Sequence, residues 1–211
     1  MLYNIHTHAS SNDENVIELV NFFPHEINLS LPNFTIGIHP YHIDESKLYD
    51  ELDIIEKHIQ HPHFFAVGEC GFDKRIQTPT AIQKKILIPQ LLLAEKYKKP
   101  VVLHCVSAYQ EIIEIKKELN LTIPMIIHGF AKNAQVAKSL YTKGFYLSFG
   151  KYLLLNPKLS DVLKEVPKEQ IFLETDTMAQ TIYDVYQKAS EILDEDVVSL
   201  IEKNFERVFN P

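Results

Sequence analysis

The chain has 211 residues, 45% of them hydrophobic and 23% charged, with a formal net charge of -7. That composition excludes a disordered, collagen-like or coiled-coil chain, and the acidic balance argues against coating nucleic acid by global charge. Two cysteines, Cys70 and Cys105, exclude a disulfide-stapled scaffold. No run approaches the roughly 18 apolar residues of a membrane span. The opening MLYNIHTH lacks a basic region followed by an apolar stretch, so the cytoplasm is the expected location and a membrane is not an expected partner.

In chain order, short β-branched and aromatic runs recur. They are Leu2 to Ile5, Phe34 to Ile38, Phe64 to Val67, Val101 to Leu103, Met125 to Ile127, Phe145 to Phe149 and Ile171 to Leu173, while Val16 to Phe23 reads either as a strand without its preceding helix or as a remnant of a trimmed unit. Each has strand length. Helical spacing falls between most of them. Leu48, Leu52, Ile55 and Ile59 share one stripe. Residues 79–98 open on Thr78-Pro79-Thr80 and stay apolar at helical intervals. Residues 107–119, 133–143 and 157–165 predict shorter helices, and 180–208 predicts one broken or two consecutive helices.

Strands alternating with helices imply βαβ units and a parallel sheet. No Gly-x-Gly-x-x-Gly turn follows a strand, which removes the main support for a dinucleotide-binding sheet. The expected fold is α/β, a TIM-type (β/α) barrel over 1–211 as one domain. It is trimmed or irregular in its first units, because residues 9–33 are too few for a regular crossover.

The chemistry gathers at strand ends. His6-Thr7-His8 closes the first strand, and residues i and i+2 of an extended chain point to one side. Later strands end in Glu69, His104 and His128, and the last is followed by Glu174-Thr175-Asp176. Each item alone is weak: a lone histidine is commonly a hydrogen-bonded structural residue and a lone acid a helix cap. Together, at the C-terminal ends of successive strands, they are where barrel active sites lie. Such an N/O donor set suits zinc or manganese. His39 ends the strand Phe34 to Ile38 at the same rim. His25, His42, His58, His61 and His63 read as solvated. Cys70 and Cys105 directly follow Glu69 and His104, so their thiols should face the opposite side as small buried hydrophobes.

The chain resembles the TatD-type metal-dependent hydrolases, a branch of the amidohydrolase-like barrels. The resemblance runs through His6-Thr7-His8, Gly37-Ile38-His39-Pro40 and Ala66 to Asp73. It continues through Gln83, Gln90 to Glu95, Pro100 to His104, His128-Gly129-Phe130, Leu173 to Asp176 and Asn204-Phe205. It implies that His6, His8, Glu69 and Asp176 surround one divalent ion and that Glu69, His104 and His128 surround a second, with Glu69 bridging. The ions would be Zn, Mg or Mn. It also implies hydrolysis of phosphodiester bonds, with DNA or a small phosphodiester as substrate.

The chain departs from the family pattern as well. Asn4 stands where an Asp is usual, Thr177-Met178 replaces a following Pro, and Gly129-Phe130-Ala131-Lys132 replaces Cys-Phe-Ser-Gly. Cys105-Val106-Ser107 lacks the usual Arg, and the loop after the last strand is short. These changes remove groups that hold phosphates and leave the ligands in place.

Asp176 is the candidate for orienting and deprotonating the attacking water, and Glu69 is the second catalytic candidate, as an ionised bridge. Glu174 has two readings, a direct role or a buried partner. Among the cations, Lys132 and Lys151 are better placed than Lys74 and Arg75 to meet a phosphate, and Tyr41 and Phe130 could stack on a base. Two other functions stay open: an amide, ester or lactone hydrolase using the same ions, and a metal-binding member without nuclease activity. No protein partner is legible.

Overall fold

The structure, a computed structural model, describes residues 1–209. The strands are β1 (Leu2–Thr7), β2 (Val16–Phe22), β3 (Phe34–Ile36), β4 (Phe64–Asp73), β5 (Val101–Val106), β6 (Met125–Ile127), β7 (Phe145–Phe149) and β8 (Ile171–Leu173). The helices are α1 (Leu48–His58), α2 (Thr80–Tyr97), α3 (Tyr109–Glu118), α4 (Ala134–Tyr141), α5 (Lys151–Leu155), α6 (Leu159–Glu165), α7 (Ile182–Leu193) and α8 (Val198–Phe209). Sheet order follows chain order from β1 to β8. This is the α/β architecture of a TIM-type barrel, and its first units are trimmed as expected. Residues 8–15 and 23–33 join β1 to β2 and β2 to β3 without a helix.

Contacts group the chain into two compact units, Met1–Val20 with Ile126–Pro211, and Asn21–Met125. In the first unit β1 pairs in parallel with β2, from Leu2↔Val16 to Thr7↔Val20. The eight-residue connection is compact because polar side chains from it and from β2 bond its backbone. Asp13 Oδ1 accepts from the Asn15 N–H, and Glu18 Oε2 accepts from the Ser11 N–H. Asn12, at φ 57°, takes the left-handed turn that Asn tolerates. β7 pairs in parallel with β8. Beyond β8 the chain bonds back to β1: the N–H groups of Thr175 and Asp176 donate to His6 O, and the His8 N–H donates to Asp176 O.

Helix α8 covers this junction with Ile201, Phe205 and Val208, all buried, and the Phe205 ring lies 4.5 Å from that of Tyr3. Its Asn204 donates from Nδ2 to Lys168 O and Ile171 O, fixing the entry to β8.

In the second unit β3, β4 and β5 are parallel neighbours. β4 and β5 run further than their apolar runs predict, to Asp73 and Val106. The ladder continues because Gly71 faces His104 across the strands. Gly71 sits at φ 148°, and a Cβ there would fall 1.9 Å from His104 O. Only glycine allows that approach. Two buried glutamines of α2 satisfy backbone groups at strand ends. Gln90 Oε1 accepts from the Ile38 N–H, and Gln83 bonds both the N–H and the carbonyl of Asp73.

Candidate metal centre

In the first unit His6 and His8 lie at the end of β1, on one side of the strand. His6 is fully buried. Asp176 meets them through the backbone bonds between β1 and the segment after β8. Its φ of 51° is left-handed, a conformation that costs a non-glycine residue about 1 kcal/mol or more. Asp176 Oδ1 lies 3.7 Å from His6 Nε2 and 3.5 Å from His8 Nε2. These are too long for good hydrogen bonds. They match the separation of ~3.3 Å or slightly more between ligands that each stand about 2.0–2.2 Å from a tetrahedral zinc ion. Two imidazoles and a carboxylate, held at that spacing, fit a divalent ion.

His128 belongs to the same unit, with its ring 4.3 Å from that of His6. Its Nδ1 lies 3.3 Å from Glu174 Oε1, which also accepts from the Gly129 N–H at 2.7 Å. Burial pushes the Glu174 carboxyl up, but His128, His6 and Ser148 outweigh it and hold the group below the usual range. An ionised Glu174 on Nδ1 places the lone pair of neutral His128 on Nε2, the arrangement of a histidine prepared for a metal. Of the two readings of Glu174, the geometry favours the buried partner.

In the second unit Glu69 Oε1 lies 2.8 Å from His104 Nδ1 and 3.1 Å from His39 Nε2. The three residues form a compact donor set. The Glu69 N–H donates to Asn21 Oδ1. On the other side of His104, Nε2 is 3.5 Å from Asp73 Oδ2, which accepts from the Tyr41 hydroxyl at 2.9 Å. Burial pushes the Asp73 carboxyl up. The Arg75 backbone N–H, the Tyr41 hydroxyl and His104 outweigh that and hold it below the usual range.

His39 differs from the other histidines. Its Nδ1 accepts from the Tyr41 N–H at 3.1 Å. A neutral ring that accepts at Nδ1 carries its proton on Nε2. His39 therefore donates to Glu69 and orients it, and has no lone pair left for an ion. The sequence placed His39 at the rim without a role. The partnership of Asp73 with His104 was missed, although Asp73 stands four residues after Glu69 on one strand.

A family model described as "TatD related DNase" matches residues 6–210. The chain belongs to the TatD related DNase family. A relative from Bacillus subtilis (strain 168), named an uncharacterized metal-dependent hydrolase, is 30% identical over 82% of this chain and 71% of its own length. A 3'-5' ssDNA/RNA exonuclease TatD of Escherichia fergusonii is 27% identical over 67% of this chain, and the chain covers 56% of it. The crystal structure of the TatD homologue YJJV from Escherichia coli K12 superposes with a TM-score of 0.84 at 21% identity, covering 100% of this chain and 98% of that one. That likeness shows the barrel fold.

The structure places the remaining TatD-motif residues. Asn4 Nδ2 donates to Thr175 Oγ1 at 2.8 Å, and the Thr175 N–H donates to Asn4 Oδ1 at 3.0 Å. A neutral side chain thus ties β1 to the Asp176 segment. Phe130 is 1% exposed and cannot stack on a base, which corrects that expectation. It fails because the residue packs inward against Phe149. Tyr41 is exposed. Lys74 is engaged by Glu111, and Arg75 lies near Asp73. Lys132 and Lys151 are exposed. Cys70 and Cys105 are free and buried. Burial pushes the Cys105 thiol up to about 12 and the Cys70 thiol further, so both are inert at neutral pH. Among the described residues no helix is long and apolar enough to cross a membrane.

Proposed function

We propose that this metal-dependent hydrolase of the TatD family cleaves phosphodiester bonds, with His6, His8, Glu69, His104, His128 and Asp176 as its metal ligands. The observation that carries the reading is the spacing of Asp176 Oδ1 from His6 and His8, 3.7 and 3.5 Å, which suits ligands of a shared ion better than hydrogen-bond partners. Bound divalent ions would supply Lewis acidity and lower the pKa of a coordinated water towards about 7. Within the chain, His6, His8 and His128 offer imidazole nitrogens. Asp176, with its side chain 39% exposed against 27% for His8, is the most exposed of these ligands. It orients the attacking water and accepts its proton. Glu69 is held by His39 and His104.

The 27% identical relative named as a 3'-5' ssDNA/RNA exonuclease supports a phosphodiester as substrate. A second reading, hydrolysis of an ester, lactone or amide, draws on the pairing of Lys74 with Glu111, which leaves fewer cations for a phosphate. The test uses protein loaded with Mn²⁺, Mg²⁺ or Zn²⁺ and assayed on bis(p-nitrophenyl) phosphate, single-stranded DNA and p-nitrophenyl acetate. Turnover of the phosphodiesters that is lost in Asp176→Asn is the expected result. Turnover of the acetate alone supports the second reading, and no turnover of any of them ends the proposal.

A further inference from the structure

A cavity of about 490 Å³ lies within the first unit, between residues 8–18 and 175–183. It borders two of the candidate ligands, His8 and Asp176. Its volume is that of a small-molecule site. The wall holds two further carboxylates, Asp13 and Glu18, together with hydroxyls and the Gln180 amide, and neither Lys nor Arg is part of it.

Both carboxylates are fixed. Asp13 accepts from the Asn15 N–H at 2.9 Å and from the Tyr183 hydroxyl at 3.0 Å. The Asn15 N–H and the Tyr183 hydroxyl hold its carboxyl below the usual range. Glu18 accepts through Oε2 from the Ser10 hydroxyl at 2.9 Å and the Ser11 N–H at 2.8 Å. Oε1 of Glu18 takes no hydrogen bond among the described residues. A phosphate placed here would meet two carboxylates and no cation, which is repulsive, whereas an ammonium would find acceptors already in position.

We propose that this cavity is a subsite for a protonated amine. The group that a substrate places beside His8 and Asp176 is then a cationic amine or amino alcohol, not a further phosphate of a polynucleotide. The role of the subsite in turnover rests on the hydrolase reading above, but ligand binding does not.

The test has two readouts. The first is a titration of ¹⁵N-labelled metal-free and metal-loaded protein with ethanolamine and, separately, with ethylene glycol. Ethanolamine is expected to shift the amides of residues 10–18 and 180–183, with binding about tenfold weaker in Glu18→Gln, the loss of roughly one charge-assisted hydrogen bond. Asp13→Asn serves as a second variant should Glu18→Gln melt early. Equal shifts from both compounds, or none from either, overturn the proposal. The second readout compares p-nitrophenyl phosphoethanolamine with the p-nitrophenyl ester of thymidine 5'-monophosphate. A kcat/KM ratio favouring the ethanolamine ester, and falling in Glu18→Gln, supports the subsite. A ratio favouring the nucleotide overturns it. Absence of turnover on either ester counts against the hydrolase reading, while the titration still decides the subsite.

Discussion

The roles of the imidazoles are set by what holds their second nitrogen. His128 has Glu174 on Nδ1, and His39 has a backbone N–H there, so the first is prepared to bind an ion and the second to donate. His39→Ala should therefore leave the ligand count unchanged and release Glu69. An orienting partner of this kind is typically worth about 10–100-fold in metal affinity. A chelator competition would measure it. His39→Gln, which can donate to Glu69 and accept from the Tyr41 N–H, should recover most of the loss. If His39→Ala binds metal as tightly as the unmodified protein, the orienting role is wrong. Such roles are poorly legible from sequence. A histidine at a strand end is visible as a residue type, but the donor on its second nitrogen comes from a neighbour's backbone. Asp73 was accessible in principle, because it shares β4 with Glu69.

Elements were more legible than roles. The runs ending β6, β7 and β8 mark their strands well, because three to five apolar residues in a row have no other stable home between helices. β4 and β5 outrun their apolar stretches where the sequence turns to glycine and ligand residues, and α5 escapes notice because Tyr152-Leu153-Leu154-Leu155 has no helical period. A substitution that strikes an element boundary is Gly71→Ala. The new Cβ would fall 1.9 Å from His104 O, so β4 and β5 must part beside Glu69 and His104. Loss of about 3 kcal/mol or more is expected, read by urea denaturation, because backbone rather than a flexible side chain stands in the way. A second boundary is the end of α2. Glu95 accepts from the N–H groups of Thr122 and Ile123 and from the Thr122 hydroxyl, tying α2 to the segment that leads into β6. Burial opposes ionisation there, but Lys98 and these donors hold its carboxyl down at about 2, against 4.5 ordinarily. A depressed carboxyl stabilises the fold above its unfolded pKa. Its contribution is therefore full above about pH 5 and lost as pH falls from there towards 2. Glu95→Ala should cost about 1–2 kcal/mol at pH 7, after allowance for its part-exposed position, and the difference from the unmodified protein should shrink steadily below pH 4. A difference independent of pH would show that the charge is not what holds the segment.

At the scale of the molecule, each compact unit carries a set of donors that unfolding would scatter. In the first they are His6, His8 and Asp176, and in the second Glu69 and His104 with His39 beside them. An unfolded chain offers no such spacing, so an ion that binds these groups binds the native state alone, and its affinity appears as folding free energy. At a hundredfold excess over Kd that is about 2.7 kcal/mol for one site. For a chain of this size it raises the melting temperature by about 5–10 °C. Chelator-treated protein should melt lower by that amount and recover with Mn²⁺ or Zn²⁺. Because imidazole must be neutral to bind, the recovery should fade below about pH 6. Asp176→Asn removes the charged member of the first set and His104→Ala an imidazole of the second, so each should reduce the shift, measured against its own chelated form. The baseline matters, since either variant alone changes stability. A shift that survives in full in both variants would place the ion elsewhere in the molecule. A melting temperature indifferent to chelator and to both metals would mean that these donors, though spaced for an ion, do not hold one.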